Sequence, residues 1–295
     1  MFIIKNKNFF LGLSILVVLI SLISISVYGL KKSIDFTGGA KVVFSVKNPE
    51  PTEEEIQNSL TQNFGEVRLT KVAESTYSAQ LRDSKEEDYP KLENALKVNA
   101  SSTVEISSFA MTGPTISSEI VRSAIWGVVL VVIAIILFIW FSFRSVSYPV
   151  ASYKYGLITI TTLLHDIIIP TGVFAWLGHA YGVQIDALFI VAILTVIGIS
   201  ISDTIVVFDR IRENLKKASK NTSFEEVVGN SLSETIVRSI ATSLAVIIVL
   251  LSLVFFGPES TKYFALTLTI GMFVGTYSSI FVASPLLVYA AKYWK

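Results

Sequence analysis

Long apolar blocks dominate the pattern of hydrophobic and polar positions along the chain. About 20 apolar residues, rising about 1.5 Å each, allow a helix to cross about 30 Å of hydrocarbon. Six blocks reach that length. They cover residues 9–30, 121–141, 155–177, 187–208, 235–256 and 263–291. The pattern therefore predicts a membrane protein built on an all-α bundle of six transmembrane helices.

The first apolar block has two interpretations, a cleaved signal peptide or an uncleaved anchor. Its apolar run is longer than the usual signal core, and residues 27–30 lead directly into Lys31 without a small-residue cleavage site. We therefore interpret it as an anchor.

The stretch between the first two blocks has short runs of alternating apolar residues. Strands are predicted over 41–46, 67–72, 77–81 and 103–109, and helices over 52–63 and 84–98. Thr52 and Glu55 have the spacing of a capping box, and Pro90 is typical of a first helical turn. The order βαββαβ predicts a ferredoxin-like α+β sandwich, with a non-enzymatic β-rich module as the alternative.

Loop charge predicts the orientation of the chain, since basic loops remain in the cytoplasm. The loop after the fourth block holds Arg210, Arg212, Lys216, Lys217 and Lys220. The loop 178–186 holds no Lys or Arg. Both termini are therefore expected in the cytoplasm. The expected parts are a tail with the first helix (1–32), an extracytoplasmic domain (33–118), and helices two to six (119–295).

Composition narrows the function classes. The chain of 295 residues is 52% hydrophobic and 16% charged, and its net charge of +1 gives no reason to expect a nucleic-acid partner. It has no cysteine, which excludes disulfides and thiol catalysis, and two histidines are too few for a histidine-rich metal cluster. No catalytic arrangement stands out in the inserted domain, so binding or docking is the expected role there, and the chain is not expected to be an enzyme.

Two charges stand at matching depth in neighbouring helices. Asp203 lies in the fourth block, about 10 Å from its cytoplasmic end at about 1.5 Å per residue, and Arg238 lies about two turns into the fifth. An ionisable group inside a span is costly, so an ion pair between these side chains is expected. The alternatives are a capping carboxylate and a snorkelling arginine. Glu234 stands one turn before Arg238 and is positioned for a local pair with it, with a simple interfacial residue as the alternative.

His165 and Asp166 form a second candidate site, near the middle of the third block. Both side chains can line one polar interior, which suggests proton handling. The alternative is a structural hydrogen bond to a neighbouring helix.

Small residues predict close helix packing, and prolines predict local irregularity. The small residues recur every four positions: Thr267, Gly271, Gly275 and Ser279 on the last helix, Gly198 and Ser202 on the fourth, and Ser239 and Ser243 on the fifth. Pro170 and Pro285 are expected to kink or open their helices.

Taken in order, several motifs resemble those of one known family. They are Asp35-Phe36-Thr37-Gly38-Gly39 after the first block, Gly113-Pro114, Leu164-His165-Asp166, the run from Ser202 to Asn214, Arg238, and Gly275 to Ser284. The chain resembles the SecF family of bacterial protein translocase subunits, within the resistance-nodulation-division superfamily. The resemblance covers nearly the whole chain.

The resemblance implies a role in protein export across the bacterial inner membrane. It implies SecD as partner beside the SecYEG channel, with YajC as a further candidate. It also implies an unfolded polypeptide as the translocated cargo and the lipid bilayer as the surroundings of the chain. No cofactor is implied except protons as the coupling ion. Asp203 and Arg238 fall on the family's proton-pathway positions, and Asp166 falls on another family polar position. The chain departs from many relatives at Ser202, where they have Asn, and at Glu234, where they have Gln.

Other functions fit parts of the pattern. One is a stand-alone proton-coupled exporter of the same superfamily. A second is an intramembrane aspartyl protease that uses Asp166 and Asp203 as paired carboxylates. A third is a purely structural partner of a channel, for which every intramembrane charge would tolerate neutral substitution.

Overall fold

The computed structural model describes residues 2–47, 51–73, 75–82, 88–97, 103–143, 150–219 and 221–293. Residues 84–87 and 98 of one predicted helix, and the predicted cytoplasmic Lys220, lie outside these ranges. The chain forms two compact units. We call residues 1–30, 126–181 and 188–295 the helical unit, and residues 31–125 and 182–187 the α/β unit.

Among the described residues, six helices are long and apolar enough to cross a membrane. We call them the first to sixth span. They are Lys7–Tyr28, Pro114–Phe143, Ser152–Tyr181, Ala187–Lys217, Phe224–Phe256, and a last span composed of Glu259–Ser278, Ser279–Ala283 and Ser284–Tyr293. The spans correspond to the six predicted blocks, but several continue into polar sequence at their ends.

Burial differs sharply between the spans. The most apolar stretches of the third, fourth and sixth spans are 56%, 44% and 61% buried within the chain, whereas those of the first, second and fifth are 11%, 6% and 11% buried. The third, fourth and sixth spans therefore hold most of the interior positions on which a sheltered polar group could lie.

Glycines allow close contacts between spans. A Cβ added to Gly271 would lie 2.1 Å from Val196 Cγ2, and one added to Gly275 would lie 3.0 Å from Ser200 Cβ, so the fourth and sixth spans touch at these points. The predicted close contact at Gly198 is wrong, since nothing lies within 4 Å of its missing Cβ. The reason is that Gly198 lies on a different face of the fourth span from Val196 and Ser200, which are the residues that contact the sixth span.

The two prolines inside spans differ in effect. The third span continues as an α-helix through Pro170. Because proline has no N–H, the carbonyl of Asp166 lacks its usual helical donor there. Ahead of Pro285 the sixth span forms a π-helix over Ser279–Ala283, which is the local opening that the sequence predicts.

The α/β unit contains one four-stranded antiparallel sheet with the order β2-β3-β1-β4. Its elements follow in the order β1, α1, β2, β3, α2 and β4. These are Gly39–Lys47, Glu53–Phe64, Val67–Ala73, Thr76–Leu81, Tyr89–Leu96 and Thr103–Thr112. Each predicted strand and helix is present, and β4 runs three residues further than expected.

Both helices of the unit bury one face against the sheet. Phe44 of β1, Leu60 of α1 and Leu96 of α2 belong to one core in which each is fully buried. The capping box that opens α1 is confirmed: Glu55 N–H donates to Thr52 Oγ1 at 3.3 Å, and Thr52 N–H donates to Glu55 Oε2 at 2.9 Å.

Candidate functional site

Asp166 is the most completely enclosed acid of the described residues in the helical unit, with no exposed surface. Its carboxylate accepts a hydrogen bond from Ser200 Oγ on the fourth span and another, at 2.7 Å, from Ser278 Oγ on the sixth. His165 Nδ1 lies 2.8 Å from the same carboxylate. Asp166 therefore joins three spans through one side chain, in surroundings where a lost partner is costly.

His165 is 6% exposed, and its two ring nitrogens have different surroundings. Nδ1 faces Asp166, whereas Nε2 has no hydrogen-bond partner among the described atoms. The ring stacks on Tyr277, whose hydroxyl donates to the Phe10 carbonyl at 3.1 Å. If Nδ1 donates to the carboxylate, a neutral imidazole leaves Nε2 as a free acceptor. The two adjacent residues thus share one polar interior, as their position in the span predicts.

Asp203 has a more open environment on the fourth span, where its side chain is half-buried. The Ser243 hydroxyl of the fifth span lies close to its carboxylate and interacts with it. Thr276 Oγ1 of the sixth span in turn donates to Ser243 Oγ at 2.5 Å. Asp203 is therefore connected to two other spans by hydroxyl groups, none of which the charge pattern identified.

A small space lies beside Asp203. It is lined by Asp203, Ser200, Gly275 and Thr276 among others, and it is too narrow for a water molecule. Ser200 both lines this space and donates to Asp166. One hydroxyl group therefore stands between the enclosed carboxylate and the half-exposed one. The sequence signal available for Ser200 was the recurrence of small residues every four positions on the fourth span. That spacing is carried by Gly198 and Ser202, which lie on a more exposed face of the helix than Ser200.

Arg238 has an exposed side chain on the fifth span and acts on Asp203 by coulombic attraction. In the described part of these spans, the carboxylates that lie within ion-pair distance of a guanidinium are those of Glu234, Glu213 and Asp209. The expected Asp203–Arg238 partnership is thus a through-space attraction in this conformation rather than a direct contact.

Glu234 has a different partner from the one expected. Its carboxylate accepts from Arg210 Nε and, at 2.9 Å, from Asn214 Nδ2, both on the fourth span. The predicted local pair with Arg238 is therefore wrong. The physical reason is that both helices continue past the apolar blocks, so Arg210 and Asn214 stand opposite Glu234. The Glu234 carboxylate is thus bound by Arg210 and Asn214 rather than by Arg238.

The charged run that ends the fourth span forms pairs along its own helix. Glu213 accepts from Arg210 Nη1 at 2.5 Å and from Lys217 Nζ at 2.6 Å, and Arg212 lies 2.5 Å from Asp209. Pairs at these spacings stabilise a helix in water. They explain why the fourth span extends to Lys217 although its apolar block ends at residue 208.

The glycine motif after the first span makes a tight entry into the sheet. Residues Ile34–Thr37 form one helical turn, in which Thr37 Oγ1 donates to the Ser33 carbonyl at 3.1 Å and Phe36 N–H donates to the same carbonyl. Gly38 and Gly39 follow with φ of 74° and 114°. A Cβ on Gly39 would lie 2.2 Å from the Leu81 carbonyl oxygen, so only glycine fits where β1 approaches β3.

Asp35, within that motif, reaches a residue far along the sequence. Its Oδ2 accepts from the backbone N–H of Ala187 at 2.9 Å, and Ala187 is the first residue of the fourth span. Nothing in the sequence pattern connects positions 152 residues apart, so this contact could not be predicted.

The segment just before Ala187 is also part of the α/β unit. Ile185 N–H donates to the Lys31 carbonyl at 2.8 Å, and Ser33 N–H donates to the Ile185 carbonyl at 2.9 Å. The amides of Gln184 and Gln80 exchange two hydrogen bonds. Partial burial lowers the pKa of the Lys31 ammonium at this junction. The sequence assigned this loop no role.

Metal chemistry has no visible support in the described residues. Within those ranges no group of three or more His, Asp and Glu side chains is placed to hold a metal ion. The arrangement offers two carboxylates and one imidazole, which are groups that bind and release protons, together with several hydroxyls that donate and accept hydrogen bonds.

Comparisons with known proteins agree over most of the chain. The family model described as "Protein export membrane protein SecD/SecF, C-terminal" matches residues 91–293, and the one described as "SecD/SecF GG Motif" matches residues 23–50. The protein translocase subunit SecF of Thermobaculum terrenum is 40% identical, with 97% of this chain and 92% of that protein covered. SecF of Anaerolinea thermophila is 33% identical over the same shares.

Longer relatives match as well. The protein translocase subunit SecDF of Brucella abortus is 31% identical, and the match covers 94% of this chain and 36% of that protein. The crystal structure of SecDF, a translocon-associated membrane protein from Thermus thermophilus, is similar with a TM-score of 0.82 and 29% identity. That match covers 97% of this chain and 38% of the crystallised chain.

The six apolar helices, the inserted sheet and these matches define a multi-pass membrane subunit of the protein translocase class. Within that class, the chain belongs to the SecF family. The relatives' names describe transport rather than catalysis, and the SecDF relatives carry a region like this chain within a longer protein.

Proposed function

We propose that the chain is an auxiliary translocase subunit that uses the proton motive force to promote polypeptide export across the bacterial plasma membrane. The observation that carries this proposal is the environment of Asp203, a half-buried carboxylate inside an apolar span. A hydroxyl chain from Ser243 and Thr276 leads to it, and Arg238 attracts it from the fifth span. Ionisable groups at such positions mark ion and proton pathways in membrane proteins.

The proposed partner is SecD, since SecDF relatives combine a region like this chain with a further part in one polypeptide. The SecYEG channel, YajC and an unfolded polypeptide in transit complete the proposed surroundings. The relatives' names as translocase subunits favour this function over a stand-alone exporter or a protease.

The proposed topology places both termini in the cytoplasm and the α/β unit on the extracytoplasmic side. The charge of the loops supports that orientation. The strand order β2-β3-β1-β4, with two helices packed on one sheet, supports a ferredoxin-like sandwich for the unit.

In the proposed cycle, protonation of Asp203 cancels its attraction to Arg238 and weakens what holds the fourth and fifth spans together. Asp166 and His165 form a second proton-binding group, reached through the Ser200 hydroxyl. One charge that moves down the membrane potential supplies about 2.3 kcal/mol per 100 mV, enough to bias a modest two-state motion.

The decisive variant is Asp203→Asn, which preserves shape but cannot ionise. Export of a secreted protein into inverted membrane vesicles that contain the SecD partner is expected to lose its stimulation by an imposed proton gradient. Asp209→Asn, a surface carboxylate on the same helix, is the matched control and is expected to retain the stimulation. Undiminished stimulation in Asp203→Asn would refute the proposal.

A further inference from the structure

The start of the fourth span is bound by a carboxylate from a distant part of the α/β unit. The first four N–H groups of a helix have no partner within the helix, and the helix dipole favours a negative charge beside them. Asp35 supplies both an acceptor and a negative charge, since its Oδ2 lies 2.9 Å from the Ala187 nitrogen. Ala187 and Asp35 belong to the same compact unit.

Asp35 is itself held in a fixed geometry. Ser33 Oγ accepts from the Asp35 N–H at 3.2 Å, and the turn ends at Gly38, whose N–H donates to the Ile34 carbonyl at 2.8 Å. Gly39 then begins β1 with no space for a side chain beside Leu81. The Asp35 carboxylate is therefore tied by a short segment of defined backbone to the central strands of the sheet.

The fourth span is also the helix that carries Asp203. Asp203 is the sixteenth residue after Ala187, about 24 Å along a helix at about 1.5 Å per residue. A continuous α-helix transmits a displacement along its axis with little internal loss, so a movement that begins near Asp203 reaches the N–H of Ala187.

We infer that Asp35 is a positioning residue that couples the fourth span to the sheet of the α/β unit. The inference rests on the proposed proton-driven function. A shift of the fourth span pulls or releases the Asp35 carboxylate, which in turn moves β1. Without this hydrogen bond, the helix start remains connected to the sheet through the loop 182–187 and the hydrogen bonds of Gln184 and Ile185, and part of the displacement is lost.

The test measures a distance rather than export. The chain has no cysteine, so single cysteines can be introduced for spin labels without removing others. Glu105→Cys on β4 and Asn230→Cys on the fifth span are both exposed positions. The full chain is reconstituted with its SecD partner in lipid vesicles, and the label-to-label distance is compared with and without Asp203→Asn as a mimic of the protonated acid.

Three variants and one control distinguish a loss of coupling from a loss of stability. Asp35→Ala removes the acceptor, whereas Asp35→Asn retains an oxygen acceptor of comparable capping strength. Ala187→Pro removes the donor, and proline is well tolerated at the first position of a helix. Thr52→Ala is the matched control, because it deletes a similar N-cap elsewhere in the same unit.

In the parent, in Thr52→Ala and in Asp35→Asn, Asp203→Asn is expected to change the label-to-label distance. In Asp35→Ala and in Ala187→Pro, the same change in distance is expected to be at least twofold smaller. A full change in the last two overturns the coupling role while leaving the proposed function intact. If Asp203→Asn moves the labels in no background, the proposed function fails, and the inference fails with it. Should Asp35→Ala not fold, Ala187→Pro against Thr52→Ala decides.

Discussion

At the scale of single residues, the two intramembrane acids differ in how their carboxylates are satisfied. Asp166 is fully enclosed and contacts Ser200, Ser278 and His165, whereas Asp203 is half-buried and has the Ser243 hydroxyl nearby. A group that must exchange protons needs access, which Asp203 retains. The enclosed Asp166, besides its proposed proton binding, contributes more to the cohesion of the bundle because its carboxylate has three partners.

This contrast predicts unequal losses of stability. Asp166→Ala leaves two buried hydroxyls and an imidazole without their acceptor, and we expect it to lower the free energy of unfolding by about 3 kcal/mol or more. Asp203→Ala removes one acceptor at a half-exposed position and is expected to lower it by about 1 kcal/mol. Thermal denaturation of both purified variants in the same detergent provides the comparison. Equal losses would contradict the division of roles.

At the scale of elements, glycine position determines how the fourth and sixth spans meet. Gly271 has Val196 directly against it, whereas Gly198, on another face of the fourth span, has open space. The two glycines look alike in a sequence pattern, yet they differ in what a methyl group would meet.

Substitution by alanine should therefore affect stability differently at Gly271 and at Gly198. Gly271→Ala forces a methyl group into Val196 and is expected to lower the free energy of unfolding by about 1–3 kcal/mol. Gly198→Ala meets nothing and removes a flexible helical residue, so stability is expected to be unchanged or to rise by about 1 kcal/mol. The melting temperatures of the two variants test this. A loss in Gly198→Ala as large as that in Gly271→Ala would mean that the contact face is wrong.

The polar ends of the fourth and fifth spans also act as a pair. Arg210 and Asn214 bind Glu234 across the two helices, on the parts of both helices that extend past the apolar blocks. The hydrophobic pattern alone cannot predict such extensions, because charge pairs rather than apolar burial stabilise them.

Removing either Arg210 or Glu234 should destabilise the polar ends of both helices to the same extent. Arg210→Ala and Glu234→Ala are each expected to speed backbone hydrogen exchange over residues 210–234, and the double variant should add little beyond either one. Mass spectrometry of the exchanged peptides measures this. Lys97→Ala, which removes an ion pair with Glu93 in the α/β unit, serves as the control and should leave these peptides unchanged. Additive effects would show that Arg210 and Glu234 act independently.

At the scale of the whole molecule, periodicity and apolar length predicted the six spans and the strands and helices of the inserted domain. Those features depend on local pattern, which one sequence displays. The contacts of Asp35 with Ala187 and of Ile185 with Lys31 and Ser33 depend on where distant segments meet, which no local pattern encodes. Likewise, Asp203 and Asp166 stood out as charges in apolar blocks, whereas Ser200, Ser243 and Ser278 did not, because hydroxyls are common in spans.

The α/β unit combines two separate parts of the chain, and this constrains the order in which it can fold during synthesis. Residues 31–125 leave the ribosome well before residues 182–187, which belong to the same unit. The early portion must therefore wait, with its site for Ile185 and Ala187 unfilled, until the third span has been threaded through the bilayer. A nascent chain halted before residue 182 would expose this vacancy to proteases, and completion of the loop would close it.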